Sequence, residues 1–393
     1  MATYTLTPRP SVVTGTDLVA RPVAFSDIPR RWWDRLLGRT HSPTPFSRWT
    51  FHRAWWDAYG DTAHEQYLAC LPAGSSAAID WERVGAIVPL MHRHEVEPDD
   101  DECRTSVRPH EPTGTPVPGE AKAVFFGASY HADYATVLAA PADLLEVSLA
   151  VAGALAQPPD ISHGTTPWDV VDLRRLRTTD PALTAFETAL RTTDQGWQVT
   201  REQEDVCPVV TAPSADWDEY LATLDKKARH EIRRKLRRAA KVGELTIEIS
   251  APTTEAIDAF IELHRMRFGD GGLFPNNPGG ERSRRFVHRL AELEQAEGDG
   301  GQLHVALVRC GGRLVFAAVA FDDGTTSFLY NAGMDPSAAN VSPGVTGTAE
   351  YFRNRLAAGR RRFDFLRGNE PYKYEWGARD EPIERLLVVR GAP

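Results

Sequence analysis

The stretch that most constrains the fold is residues 303–332, where three apolar runs of strand length are separated by Gly311-Gly312 and Asp323-Gly324. Such dipeptides supply the backbone angles of tight hairpins, so residues 303–309, 314–321 and 327–332 are expected to form an antiparallel meander. The chain then passes through 334–343 into a helix over 344–358, a strand over 362–366, a short helix near 371–376 and a last strand over 383–389. Helices, meander, helix and strand closing one mixed sheet is an α+β order. Upstream, Trp217, Tyr220, Leu221, Leu224, Ala228, Ile232, Leu236 and Ala239 recur at three- and four-residue steps. That spacing predicts one helix over 217–242, capped by Asp216 with Glu219 at the box position. A strand over 245–249 and helices over 254–268 and 283–296 follow, the two helices separated by a Gly/Pro/Asn-rich loop, 269–280, that reads equally as a lid over a substrate and as a plain surface connection.

The first half gives a coarse echo of this plan, with strands near 17–24, 66–71, 84–91, 134–139, 168–173 and 197–200 and helices near 29–37, 48–59, 142–156 and 181–191. At 393 residues the chain exceeds one compact core, and the expected division is 1–205 and 206–393.

The formal net charge is −9, yet residues 226–241 hold nine basic residues and one acid. An acidic body argues against general nucleic-acid coating, and one basic segment argues for a local anionic partner or a solvated helix face. Cys70, Cys103, Cys207 and Cys310 lie far apart with no paired spacing, which reads as neither a disulfide framework nor a zinc site. His92 and His94 have no acidic partner at a set spacing, so no metal is expected. The start, MATYTLTPRP, has no basic patch followed by an apolar run, and the longest apolar stretch, 144–155, is interrupted by Glu146, Ser148 and Gly153. The expectation is a cytoplasmic chain without membrane insertion.

Two segments carry chemistry. Around residues 340–347 a strand ends, small residues turn, and a helix begins, so Ser342, Gly344, Val345, Thr346 and Gly347 are candidates to approach phosphate oxygens. Pro343 and Gly344 can equally be plain helix-start residues. In 363–378, FDFLRGNEPYKYEWGA, polar groups follow a buried strand. Lys373 is the only lysine after residue 241 and lies between Tyr372 and Tyr374, where an amine can hold a carboxylate, a phosphate or an oxyanion.

These segments resemble the GNAT N-acyltransferase superfamily, in particular its two-domain branch associated with cellulose biosynthesis, which is similar to the Fem-type aminoacyl transferases. The resemblance rests on PFSRWTFHRAWWDAYG (45–60), VGAIVPL (84–90), HADYATVL (131–138), WDEYLATLDKKARHEIRRKLRRA (217–239), LYNAGMDP with SPG (329–344) and FDFLRGNEPYKYEWGA. It implies a tandem GNAT-like fold with a degenerate N-terminal copy forming the acceptor-side wall. It also implies transfer from an acyl-CoA or acyl carrier protein thioester to an amine of a sugar, peptide or natural-product intermediate. Direct attack in a ternary complex is expected, because no Cys or Ser in a nucleophile setting is visible. Residues 340–345 have one glycine and lack the family's leading basic or amide residue, which keeps a carrier protein or an aminoacyl-tRNA open as donor.

The resemblance places Lys373 or Tyr372 as the acid for the leaving thiolate, and Asp335, Asp364 and Glu370 as candidate bases. Asp335, before Pro336, is equally a turn residue. Arg229, Arg233, Arg234 and Arg237 are expected to meet donor phosphates or an acidic carrier, and Asp133, Tyr134, Tyr330, Asn331 and Arg367 to contact the acceptor. The rival reading is a non-catalytic module that binds a partner through helix 217–242.

Overall fold

The structure, a computed structural model, describes residues 17–75, 78–93, 122–158, 167–193 and 195–390. His94 and Cys103 lie outside them. In the first half the elements are β1 (Leu18–Pro22), α1 (Arg30–Leu37), α2 (Trp49–Tyr59), β2 (Ala63–Glu65), β3 (Leu68–Pro72), β4 (Ala86–Val88), β5 (Leu90–Arg93), β6 (Ala123–Phe126), β7 (Leu138–Ala139), α3 (Leu144–Ala156), β8 (Val170–Arg177) and α4 (Pro181–Thr192). The chain continues through β9 (Gln198–Thr211), α5 (Trp217–Thr223), α6 (Lys226–Ala240), β10 (Leu245–Ser250), α7 (Thr254–Phe268), α8 (Pro278–Ala296), β11 (Leu303–Cys310), β12 (Arg313–Asp322), β13 (Thr326–Met334), α9 (Pro343–Ala357), β14 (Arg362–Asp364), α10 (Pro371–Tyr374) and β15 (Arg379–Val389).

The expected meander is present: β11, β12 and β13 pair antiparallel in sequence order. It belongs to an 11-stranded mixed sheet ordered β10-β11-β12-β13-β14-β9-β15-β8-β6-β5-β2, beside a small sheet ordered β1-β3-β4-β7. The last strand therefore leaves its own half and inserts between β9 and β8. Asp172 on β8 and Arg385 on β15, both fully buried, are joined at 2.7 Å and fasten that junction. The core is shared in the same way, since Phe46, Phe51, Trp55 and Tyr59 cluster with Phe260, Phe286 and Phe321.

Several elements differ from expectation. The single helix over 217–242 is two, because Leu224 is extended and the Asp225 carboxylate accepts the Lys227 N–H at 2.7 Å, starting a fresh helix. The strand expected at 197–200 runs on to Thr211, across the expected division at 205/206. Its charged residues resemble a loop in sequence but are matched across the pair with β15, where Arg385 meets Glu202 at 2.9 Å and Arg201 meets Glu384. The strand expected at 134–139 shrinks to Leu138–Ala139, and α8 starts at Pro278, where the Asn277 side chain accepts the Gly280 N–H at 2.9 Å.

Candidate active site

The site is made by two strands that part. β13 and β14 pair in parallel only through Phe328 opposite Asp364. Beyond that pair β13 continues to Met334, while the Asp364 carboxylate accepts the Leu366 N–H at 2.8 Å and Leu366, at φ 58°, turns the other chain away. The edge of β13 from Leu329 onward thus faces no strand, and side chains take some of its backbone groups: the Ala332 N–H donates to Asn331 Oδ1 at 2.8 Å and the Ala332 carbonyl accepts from Arg267. A bulge sits there too: Val319 opposes Asn331 and Ala320 opposes Leu329, leaving Tyr330 as the extra residue. The Tyr330 hydroxyl donates to the His131 carbonyl at 3.0 Å, tying the bulge to the first half of the chain.

Two cavities flank the opening. The apolar one, about 420 Å³, is bordered by Phe316, Met334, Ser342, Gly344, Val345 and Trp376 among others. The polar one, about 480 Å³, is bordered by His131, Asp133, Tyr330, Arg367, Glu370 and Lys373 among others. Arg267, Leu329, Ala332 and Tyr372 border both, so the two meet at a throat. A larger cleft, about 800 Å³, opens elsewhere between the halves. Its arginines are already bound: Arg48 to Glu294 at 3.0 Å and Arg362 to Glu381 at 2.6 Å.

At the mouth of the apolar cavity Ser342 holds a left-handed conformation, φ 52° and ψ 61°, just before α9. Its hydroxyl accepts from Arg238 on α6, whose buried Nε has no hydrogen-bond partner. Of the phosphate candidates, Ser342, Gly344 and Val345 border this cavity, joined by Thr348. Thr346 and Gly347 do not. Thr346 is buried and bonds back to the carbonyls of Val341 and Ser342, and a Cβ on Gly347 would lie 2.3 Å from the Phe316 ring, so Gly347 serves helix-on-strand packing. Arg229, Arg233, Arg234 and Arg237 stay outside as well. Arg233 pairs with Asp218 and Arg234 with Glu231, both at 2.7 Å, and Arg229 bonds the Ala222 carbonyl. The arginine that reaches the loop, Arg238, was hidden in the sequence among equivalent neighbours.

In the polar cavity, Asp133 is held by Arg367 at 3.2 Å with its side chain 15 % exposed. Burial pushes its carboxyl up to about 6, while the Arg175 and Lys373 charges oppose the rise. Lys373 is buried, and its ammonium donates to the carbonyls of Leu366, Arg367 and Gly368 at 3.1, 2.8 and 2.9 Å and meets Glu370 at 2.9 Å. Its protons are committed to fixing that turn, and Glu370 is committed to Lys373. Tyr372 borders the throat, its hydroxyl pushed up to about 12 chiefly by partial burial, with the Arg267 charge opposing.

Asp364 is buried and accepts from Tyr134 at 2.7 Å as well as from Leu366, an arrangement that builds the turn rather than facing the cavity. Tyr134 accordingly borders the larger cleft and not the polar cavity. Asp335 borders the apolar cavity, but against the effect of burial its carboxyl is held low by the Ser337 hydroxyl and N–H and by Arg313. It caps a turn. Tyr330, Asn331 and Arg367 border the polar cavity. His131 and Arg267, at the same walls, carried no signal in the sequence beyond polarity. Among the described residues no group of three or more His, Cys, Asp and Glu is placed to hold a metal ion, and no helix is long and apolar enough to cross a membrane.

Residues 226–374 match the family described as "Acetyltransferase (GNAT) domain". Among solved structures, FemX is similar over 91 % of this chain and 96 % of its own, at 10 % identity and a TM-score of 0.56. A conserved protein of unknown function from Bacteroides thetaiotaomicron VPI-5482 is similar over 94 % and 99 %, at 13 % identity and a TM-score of 0.52. A tandem GNAT protein from the clavulanic acid biosynthesis pathway is similar over 96 % and 99 %, at 11 % identity and a TM-score of 0.48. A search of curated proteins returned no match. Residues 226–374 thus carry a GNAT-type domain, and the fold of the chain as a whole is shared with FemX.

Proposed function

We propose that this chain, a GNAT-type N-acyltransferase by the domain it carries at residues 226–374, moves an acyl group from an acyl-CoA thioester to an amine at the throat between the two cavities. The observation that carries the reading is that Arg267, Leu329, Ala332 and Tyr372 border both cavities, so a donor in one meets an acceptor in the other. The donor's pantetheine arm fits the apolar cavity along the open edge of β13. Its phosphates fit the mouth, where Arg238 and Ser342 supply charge and hydroxyl. Residues 130, 131 and 133 give the acceptor its wall from the first half.

In this arrangement the amine nitrogen attacks the thioester carbonyl, the C–N bond forms and the C–S bond breaks. Asp133, ionised above about pH 6, takes the amine proton, and the Tyr372 hydroxyl, protonated at neutral pH, gives its proton to the leaving thiolate. Lys373 acts by holding the turn that carries Arg367. Direct attack is favoured because Cys70, Cys207 and Cys310 are buried, and burial pushes the Cys207 thiol well above its ordinary range. A carrier protein delivering the same arm is a second reading, since the exposed basic face of α6 adjoins Arg238 at the cavity mouth.

The test is release of free CoA from acyl-CoAs in the presence of an amine panel. The expected profile of kcat/KM shows a one-proton limb near pH 6 that disappears in Asp133→Asn, and Tyr372→Phe lowers kcat. No release with any acyl-CoA and amine, or a limb unchanged in Asp133→Asn, overturns the assignment.

A further inference from the structure

Three arginine or lysine side chains border the polar cavity, and two of them are already engaged. Arg367 pairs with Asp133, and Lys373 is held by three carbonyls and Glu370. Arg267 differs. It stands in the last turn of α7, 4.4 Å from the Phe268 ring centroid, and its one hydrogen bond among the described residues is a long contact of 3.4 Å to the Ala332 carbonyl. Among the described residues it forms no ion pair, the charge of Glu370 and the Tyr372 hydroxyl acting on it only from beyond contact, while burial lowers its pKa. Since it borders both cavities, its charge stands at the throat where amine and thioester carbonyl come together. A guanidinium in that position offers a planar pair of donors that matches a carboxylate. Around it the polar cavity presents Tyr130, Leu273, Phe268 and Tyr372, the last two 41 % and 43 % exposed, which an apolar group in the cavity would cover.

We propose that the acceptor is an α- or β-amino acid whose carboxylate is bound by Arg267 while its amine is presented to Asp133. Amine and carboxylate are separated by only a few bonds, because both have to fit at the throat. The side chain lies against Phe268, Leu273 and Tyr372, and a cavity of about 480 Å³ has room for an aromatic or branched one. The inference rests on the reading of the two cavities as donor and acceptor sites.

The test uses the full chain with L-phenylalanine, L-leucine and β-alanine, each beside its own amide. Binding is read by calorimetry in the presence of CoA, and transfer by CoA release from acetyl-CoA and longer acyl-CoAs. At least one amino acid is expected to bind and react about 10- to 100-fold better than its amide, the range set by one charge-assisted pair. Arg267→Gln should bring that ratio close to one through KM, and Arg267→Lys should restore part of it. Equal binding of acid and amide by the unaltered protein overturns the proposal. So does an Arg267→Gln variant that lowers kcat for both alike, which would place the guanidinium on the reacting oxygen. An Arg267-dependent preference in binding without CoA release from acetyl-CoA or any longer acyl-CoA would leave the carboxylate site standing and remove the transferase reading. Release without a preference would do the reverse.

Discussion

Asp133→Asn should make the protein more stable and less active at once. The folded carboxyl titrates at about 6 against an ordinary value of 3.8, so between those two pH values the folded state holds a proton that the unfolded state has released. Stability therefore falls as pH rises through that window. At about 1.4 kcal/mol per unit the full cost is about 3 kcal/mol, present above pH 6 and absent below pH 4. Asparagine carries no such cost, and the attraction of Arg367 for the ionised carboxylate is already contained in that net value. The expectation is a variant about 3 kcal/mol more stable at pH 8, with the advantage fading to nothing by pH 4. Urea denaturation of both proteins at several pH values measures it directly, alongside a fall in transfer of about 100-fold or more. A stability difference that does not change with pH, or a variant less stable at pH 8, would refute the reasoning.

Arg238→Ala should weaken CoA binding about 10-fold or more and leave a phosphate-free acyl-pantetheine donor unaffected, measured by calorimetry. Equal losses for both donors would remove Arg238 from phosphate recognition. Lys373→Met should lower stability by about 1–3 kcal/mol in urea denaturation, because the carbonyls of Leu366, Arg367 and Gly368 lose their shared donor. Full stability with lost activity would instead make Lys373 a proton donor.

The meander, the helix after it and the Phe-Asp-Phe strand were legible because turn dipeptides and apolar spacing are local signals. The break between α5 and α6 was not, since Ala228, Ile232 and Leu236 keep the apolar step across it and only the Asp225 cap marks the restart. The length of β9 and the placement of β15 depend on cross-strand partners far apart in sequence, such as Arg385 with Asp172. For the candidate site, the sequence singled out Ser342, Asp133, Arg367 and Tyr372, which the fold brings to the two cavities. It could not rank Lys373 against Tyr372, because the difference lies in three backbone carbonyls that the fold brings to the lysine. Nor could it separate Arg238 from Arg237, one position away on the same helix and differing only in which way the side chain faces.

The most direct test of donor binding beside β13 is thermal unfolding with acetyl-CoA, longer acyl-CoAs and free CoA, for the unaltered protein and for Gly344→Leu. Gly344 borders the apolar cavity, and a Cβ there would lie 2.9 Å from Met334 Cε, so a leucine would fill the proposed pantetheine path. The account predicts stabilisation of the unaltered protein by an acyl-CoA, about 2.7 kcal/mol at a hundredfold excess over Kd, and its loss in Gly344→Leu. No response to any acyl-CoA, or an undiminished response in the variant, would contradict it.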